Sequence, residues 1–326
     1  MRLYGVIRVF VIVFSVVAAA ACATESAMQN SSDHVYLFSY FRGNGETGLH
    51  LAYSEDGLKW TALNNNQSIL KPEVGNKLMR DPSIVQGPDG TFHMVWTTGW
   101  WDNGIGLAHS KDLLDWSEQT FLPVMKHEPE AKNCWAPEIT YDAKSDTFLI
   151  CWATTIPGRF PETDHPQDHN NHRMYYIATQ DFEIFTDTAL FYEPGFNVID
   201  TFIVFDEQND RYAMFIKDER NYPNPQKNIR VAFSDNAAGP YGPPSEPIHG
   251  DYWAEGPSVI QIQQRWIVYF DKYTQQQYGA VASKDFVTWT DISDQVQFPQ
   301  GTRHGTVFSV EREIFQNLRN KLGNDS

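Results

Sequence analysis

An all-β, five-bladed β-propeller with a short C-terminal helix is the fold the sequence predicts, and three observations predict it. A turn signature recurs every roughly 50 to 60 residues, the mark of radial or solenoid repetition. Between its copies lie short runs rich in β-branched and aromatic residues, bounded by Gly, Pro and Asp turns. Four of these runs open on an acid.

The turn signature is an apolar strand end, then Ser or Thr, then Asp, with an aromatic residue four positions after the Asp. Its copies run from Leu51 through Asp56 to Trp60, from Leu107 through Asp112 to Trp116, from Tyr176 through Asp181 to Phe185, and from Val281 through Asp285 to Trp289. Val231–Asp235 is a degenerate copy that ends in Gly239-Pro240-Tyr241. Within one unit, Ser83–Val85, Thr91–Trp96 and Gly104–His109 are followed by the Asp-to-Trp turn, which spells a four-stranded meander, and the other units repeat it. The blades are read as residues 34–78, 79–132, 133–196, 197–250 and 251–297. Trp60, Trp116 and Trp289 belong to the repeat and are expected between blades, while Trp152 and Trp266 sit mid-strand and are expected in the core. Residues Arg303–Val310 follow the fifth blade without a partner hairpin, so they are placed as a strand added to the first blade, which closes the ring and removes exposed edges. Helical periodicity appears only from Val310 to Leu322.

The four acids are Asp81 before Pro82-Ser83-Ile84, Glu138 after Trp135-Ala136-Pro137, Asp200 after Val198-Ile199, and Glu255 after Trp253-Ala254. A carboxylate leading a buried strand is costly unless it is paired or does chemistry. Inner strands of a propeller direct their leading ends at the central funnel, so these acids are expected at one mouth. Inverting hydrolysis of a glycosidic bond needs such a set: one carboxylate to activate water and one carboxylic acid to protonate the leaving oxygen, about 6.5–9.5 Å apart. A further carboxylate can raise the acid's pKa without touching a reacting atom. Aromatic faces suit the C–H face of a sugar ring, and Phe41, Trp100-Trp101, Trp135 and Trp253 fall at strand ends near the expected mouth.

In the order Asp-Pro-Ser-Ile, Trp-Ala-Pro-Glu, Ile-Asp and Glu-Gly-Pro, followed by a late His-Gly strand, the chain resembles glycoside hydrolase family 43 over nearly its whole length after the leader. The resemblance implies that Asp81 is the general base, Asp200 the group that tunes and orients the acid, and Glu255 the general acid. Arg80, Trp100, Trp135, Glu138, Trp253, Arg303 and His304 are then expected to meet the substrate. His304 is either a structural hydrogen-bonder or lies near a structural calcium ion, and no cofactor is required. The sequence departs from the family with Glu138 where Asp is frequent, with Thr201 where Pro is frequent, and with a whole blade before Asp81. The implied activity is exo-acting inverting release of α-L-arabinofuranosyl or β-D-xylosyl units from plant or algal oligosaccharides. An exo-β-galactosidase of the same fold and a non-catalytic carbohydrate-binding propeller are the alternatives. The Arg80-Asp81-Pro82 triplet also occurs in retaining fructan hydrolases, but the first blade lacks their Asn-Asp-Pro nucleophile. The insertion 156–172 and the loop Arg42–Thr47 are expected to block one end of the funnel, which favours exo action.

Met1-Arg2, the apolar run Val6–Ala21 and small residues before Cys22 read as an export signal over 1–21 with a lipid-bearing Cys22 and a tether through residue 33, ahead of a propeller spanning 34–326. That reading implies a periplasmic or cell-surface lipoprotein of a Gram-negative bacterium, anchored in the membrane by lipid. Beyond Cys22 only Cys134 and Cys151 remain, too few for a disulfide scaffold; one bridge and two buried thiols are both open. The net charge of −16 becomes roughly −18 once Arg2 and Arg8 leave with the signal, which disfavours nucleic acid as a partner. The oligosaccharide is the one partner implied; no protein partner is.

Overall fold

The computed structural model describes residues 33–168 and 170–323, so the leader, Cys22 and the start of the tether lie outside the described residues. Five antiparallel sheets form, each built from consecutive strands: β1–β3 (His34–Ala62), β4–β7 (Arg80–Leu122), β8–β11 (Trp135–Tyr192), β12–β14 (Val198–Ser234) and β15–β18 (Glu255–Asp291). The last strand, β19 (Val307–Glu311), pairs antiparallel with β1 and becomes the innermost strand of the first sheet. Its neighbours across the axis are β15 and β4, and the inner strands β4, β8, β12 and β15 contact one another in turn. With β19 in place, each of the five sheets turns a strand of its own to the axis. Helix α1 (Arg312–Lys321) follows β19 directly and buries Phe315 and Leu318, with the Phe315 ring 4.8 Å from Tyr53.

The repeated turn has one physical cause. In each copy the Asp carboxylate accepts two successive backbone N–H groups: Leu58 and Lys59 on Asp56, Leu114 and Asp115 on Asp112, Glu183 and Ile184 on Asp181, Val287 and Thr288 on Asp285. The preceding Ser or Thr hydroxyl caps the same turn from the other side. The aromatic that follows packs between blades, as Trp60 does on Phe38, on Tyr269 of the fifth blade and on Phe298 just after it, and Trp289 on Phe215 of the fourth. Trp152 is fully buried and Trp266 nearly so.

The fourth blade departs from the expected four-stranded pattern and has three strands. Its chain still runs back beside β14, with Gly242, Ser245 and Ile248 donating to Phe233, Val231 and Ile229. Pro240, Pro243, Pro244 and Pro247 lie in that stretch and have no N–H to give, so the ladder stays too sparse for a strand. Cys134 and Cys151 are buried free thiols, which settles the open alternative against a bridge.

Candidate active site

Four inner strands share one backbone device. On each, four residues face three on the neighbouring strand, which is a β-bulge: Arg80–Ser83 against Thr97–Val95, Trp135–Glu138 against Ala153–Cys151, Ile199–Phe202 against Lys217–Phe215, and Glu255–Ser258 against Asp271–Tyr269. The second residue of each bulge has positive φ: Asp81 +51°, Ala136 +46°, Asp200 +57° and Gly256 +61°. The segment before β19 follows suit, since Arg303 donates to the Phe41 carbonyl while Thr306 pairs with Ser39. His304 therefore takes the same second position.

That register sets the four acids at different depths. Asp81 and Asp200 stand at the second bulge position with His304, Glu255 stands one residue ahead, and Glu138 stands two residues deeper. Glu138 is buried beside the Thr306 hydroxyl, and burial pushes its carboxyl up to about 8 against the Ser83 and Thr306 hydroxyls and the His304 charge. It is a neutral acid beneath the ring, not a fourth charge at the mouth.

His304 is the hub. A Cβ on residue 256 would fall 2.4 Å from its ring, so Gly256 makes room for it. Its Nδ1 lies 3.4 Å from Asp81, and Asp200 and Glu255 are within electrostatic reach. Burial alone would lower the imidazole's pKa; the Asp81 contact and the Asp200 and Glu255 charges override it and raise it to about 9. Burial would likewise raise Asp81, but His304, Arg80 and the Thr97 hydroxyl, 2.9 Å from Oδ2, hold it down at about 2. Asp200 accepts the Gly256 N–H at 2.9 Å; burial and the Glu255 charge lift it to about 6, opposed by His304 and Lys217. A protonated His304 facing Asp81 is a poor metal ligand, and among the described residues no group of three or more His, Cys, Asp or Glu is placed to hold a metal.

Glu255 is held from both sides. Lys217 Nζ is 3.0 Å from Oε2 and Arg303 Nη2 is 3.2 Å from Oε1. Each cation has a second carboxylate: Glu219 at 2.8 Å for Lys217 and Asp271 at 2.7 Å for Arg303. Lys227, 2.6 Å from Glu219, extends the alternating chain. Lys217, Glu219, Lys227 and Asp271 are absent from the sequence reading. Their only local signal is a charge ending an apolar strand, Tyr212–Ile216 for Lys217 and Trp266–Phe270 for Asp271.

Arg80, at the head of β4, has its guanidinium carbon 4.3 Å from the Trp100 ring and 4.7 Å from Phe41. Trp100 is 42 % exposed and packs edge-on to Trp135, whose indole N–H donates to the Trp100 carbonyl. Trp253, 40 % exposed, stands 6.1 Å from Tyr273. The insertion after β9 is pinned to the fourth blade: Asp168 accepts the N–H groups of Asn221 and Tyr222, and His165 stacks on Tyr222 at 3.6 Å. Buried Arg173 fastens its base through Asn171 and Thr163.

Comparison with known proteins agrees with this fold. The profile of the family-43-related glycosyl hydrolases, described as "Probable glycosyl hydrolase domain", matches residues 33–315. No curated protein matches the chain. Among solved structures, an α-L-arabinofuranosidase from Lactobacillus brevis shares 17% identity with a TM-score of 0.53, over 65% of this chain and 72% of that one. A thermostable family-43 glycoside hydrolase shares 15% identity with a TM-score of 0.53, over 71% and 82%. An exo-β-1,3-galactanase from Clostridium thermocellum shares 13% identity with a TM-score of 0.51, over 68% of this chain and 50% of its own length. At such identities the likeness is one of fold, the five-bladed propeller. The profile match spans nearly the whole described chain and takes in every member of the acid ring, and by it the chain belongs to the family-43-related glycoside hydrolases.

Proposed function

We propose that the protein is an exo-acting, inverting glycosidase in which Asp81 activates water, Glu255 protonates the leaving oxygen and Asp200 tunes and orients that acid. The observation that carries this reading is the shared bulge: Asp81 and Asp200 occupy one backbone position around His304, and Glu255 stands one residue ahead of that position in its own bulge. Asp81, ionised at every pH near neutrality, has the charge a base needs. Lys217 and Arg303 each keep another carboxylate, so both can slacken on Glu255 when a glycosidic oxygen arrives to take a proton.

Release from a chain end is supported by the two loops at the mouth. Asn44 of the first-blade loop donates nothing to the funnel but accepts from both Arg80 and Trp100, drawing that loop over the second blade. The insertion latched at Asn221 and Tyr222 walls the fourth-blade side. The terminal unit we favour is α-L-arabinofuranosyl or β-D-xylosyl, with β-galactosyl as the rival, in keeping with what the similar folds from Lactobacillus brevis and Clostridium thermocellum are named for. The leader reading adds an exported enzyme anchored through Cys22. A panel of nitrophenyl arabinofuranoside, xyloside and galactosides, followed by NMR of the first-formed anomer, tests the proposal. Inverted product is expected; retained product, or no turnover of any member, overturns it.

A further inference from the structure

Cations around the funnel are matched by carboxylates except at Arg80 and Arg42. Lys217 faces Glu219 and Glu255, Lys227 faces Glu219, Arg303 faces Glu255 and Asp271, and Arg220 faces Asp218. Arg80 has no carboxylate within ion-pair distance among the described residues. Asp81 and the exposed Glu46 lie within electrostatic reach, but Asp81 turns its oxygens to His304 and Thr97, and Glu46 takes the Asn44 backbone and amide N–H groups. Arg42, from the same loop, likewise has no carboxylate partner among the described residues.

The Arg80 side chain lies in a built slot. Phe41 and Trp100 sandwich the guanidinium, and Asn44 accepts from Nη1 through its side-chain oxygen at 3.1 Å. Gly45, at φ +93°, leaves the space through which the side chain passes, since a Cβ there would meet Arg80 Cγ at 2.8 Å. Nε and Nη2, the other edge of the fork, have no partner among the described residues, and neither is among the buried orphan atoms. A guanidinium immobilised between two rings, with a free N–H edge and no counter-ion, has the form of a bidentate receptor for a planar carboxylate. In a chain of net charge −16 such a receptor also offsets the repulsion an acidic sugar would meet.

We infer that Arg80 is the receptor for a carboxylate carried by the substrate, so that the enzyme acts on uronate-bearing oligosaccharides. This rests on the funnel being the glycosidase site proposed above. Binding is measured by calorimetry on the Glu255→Gln protein, so that the sugars survive. The probes are a glucuronoxylo-oligosaccharide and an oligogalacturonate, each beside its carboxyl-reduced, neutral form. At least one acidic member is expected to bind about tenfold or more tighter than its reduced twin, with the margin shrinking as salt rises. Arg80→Gln should erase the margin while the reduced sugar binds as before, and Asn44→Ala, which frees the guanidinium without removing it, should narrow it. Equal binding of acidic and reduced forms overturns the inference, as does an Arg80→Gln protein that loses both alike, the result for a clamp on hydroxyls. Turnover surviving Glu255→Gln would instead sink the catalytic assignment and leave the binding contrast standing.

Discussion

Two sets of acids recur around this ring, one at the outer corners of the blades and one at the inner strand heads, and they differ in what they face. Asp56, Asp112, Asp181 and Asp285 accept backbone N–H groups within their own turns, so each completes a local hydrogen-bond set and touches no other blade's backbone. Asp81, Asp200 and Glu255 accept from His304, Gly256, Lys217 and Arg303, groups distant in sequence that converge only when the ring closes. Partners, rather than residue type or repetition, separate a carboxylate that folds the chain from one poised for chemistry.

The comparison breaks first if inner and outer acids prove interchangeable. Glu255→Gln is expected to lower turnover by about 10²–10⁴-fold on substrates with poor leaving groups, and by far less on a dinitrophenyl glycoside that scarcely needs a proton. Its fold should hold, because Lys217 and Arg303 retain Glu219 and Asp271. Asp81→Asn should cost as much on every leaving group, since the attacking water is the same for each. Steady-state kinetics against leaving-group pKa decides: a loss independent of leaving group in Glu255→Gln removes it as the acid and makes Glu138 the candidate.

Much of this division was legible in the sequence, and the reasons for the remainder are specific. The Asp-to-aromatic spacing and the alternating strands announce the blades because turn chemistry and period-2 burial are local. The late His-Gly strand announces closure because it has no partner of its own. What the sequence does not display is register. One extra residue in each bulge decides that Glu255 stands ahead of Asp200 and that Glu138 sinks below the ring, and a single-residue shift leaves no trace in composition. Lys217 and Asp271 read as ordinary strand-end charges because their partners come from other strands and another blade. The missing fourth strand of the fourth blade did have a local signal, the prolines from 240 to 247.

A smaller effect tests whether His304 binds the inner set together. Its pKa is raised from 6.5 to about 9, so its charge contributes stability that is fully present below pH 6.5 and is lost as pH rises through 9. The groups facing it are Asp81, Asp200 and Glu255, with Glu138 beneath. The contribution is on the order of 3 kcal/mol at most. Thermal melts between pH 6 and 9.5 should show wild type losing stability faster than His304→Asn over that interval. Parallel curves would mean that the imidazole is neutral and that Asp81 finds its counter-charge elsewhere, with Arg80 next in line.

The smallest expected effect sharpens the outer half of the comparison. Asp56 accepts from Leu58, Lys59 and the Ser54 hydroxyl, and Trp60 behind it packs across to the fifth blade. Asp56→Ala removes the acceptor of two N–H groups that water can reach, so the loss is that of a cap, about 1 kcal/mol, and a Tm lower by about 2 °C in a domain this large. Turnover and the pH profile should stay unchanged, because no atom of that turn contacts the ring of Asp81, Asp200 and His304. An Asp56→Ala protein with a shifted pH profile would show that the outer corners transmit strain through Trp60 to the mouth, and the separation of the two acid sets would fail at its outer end.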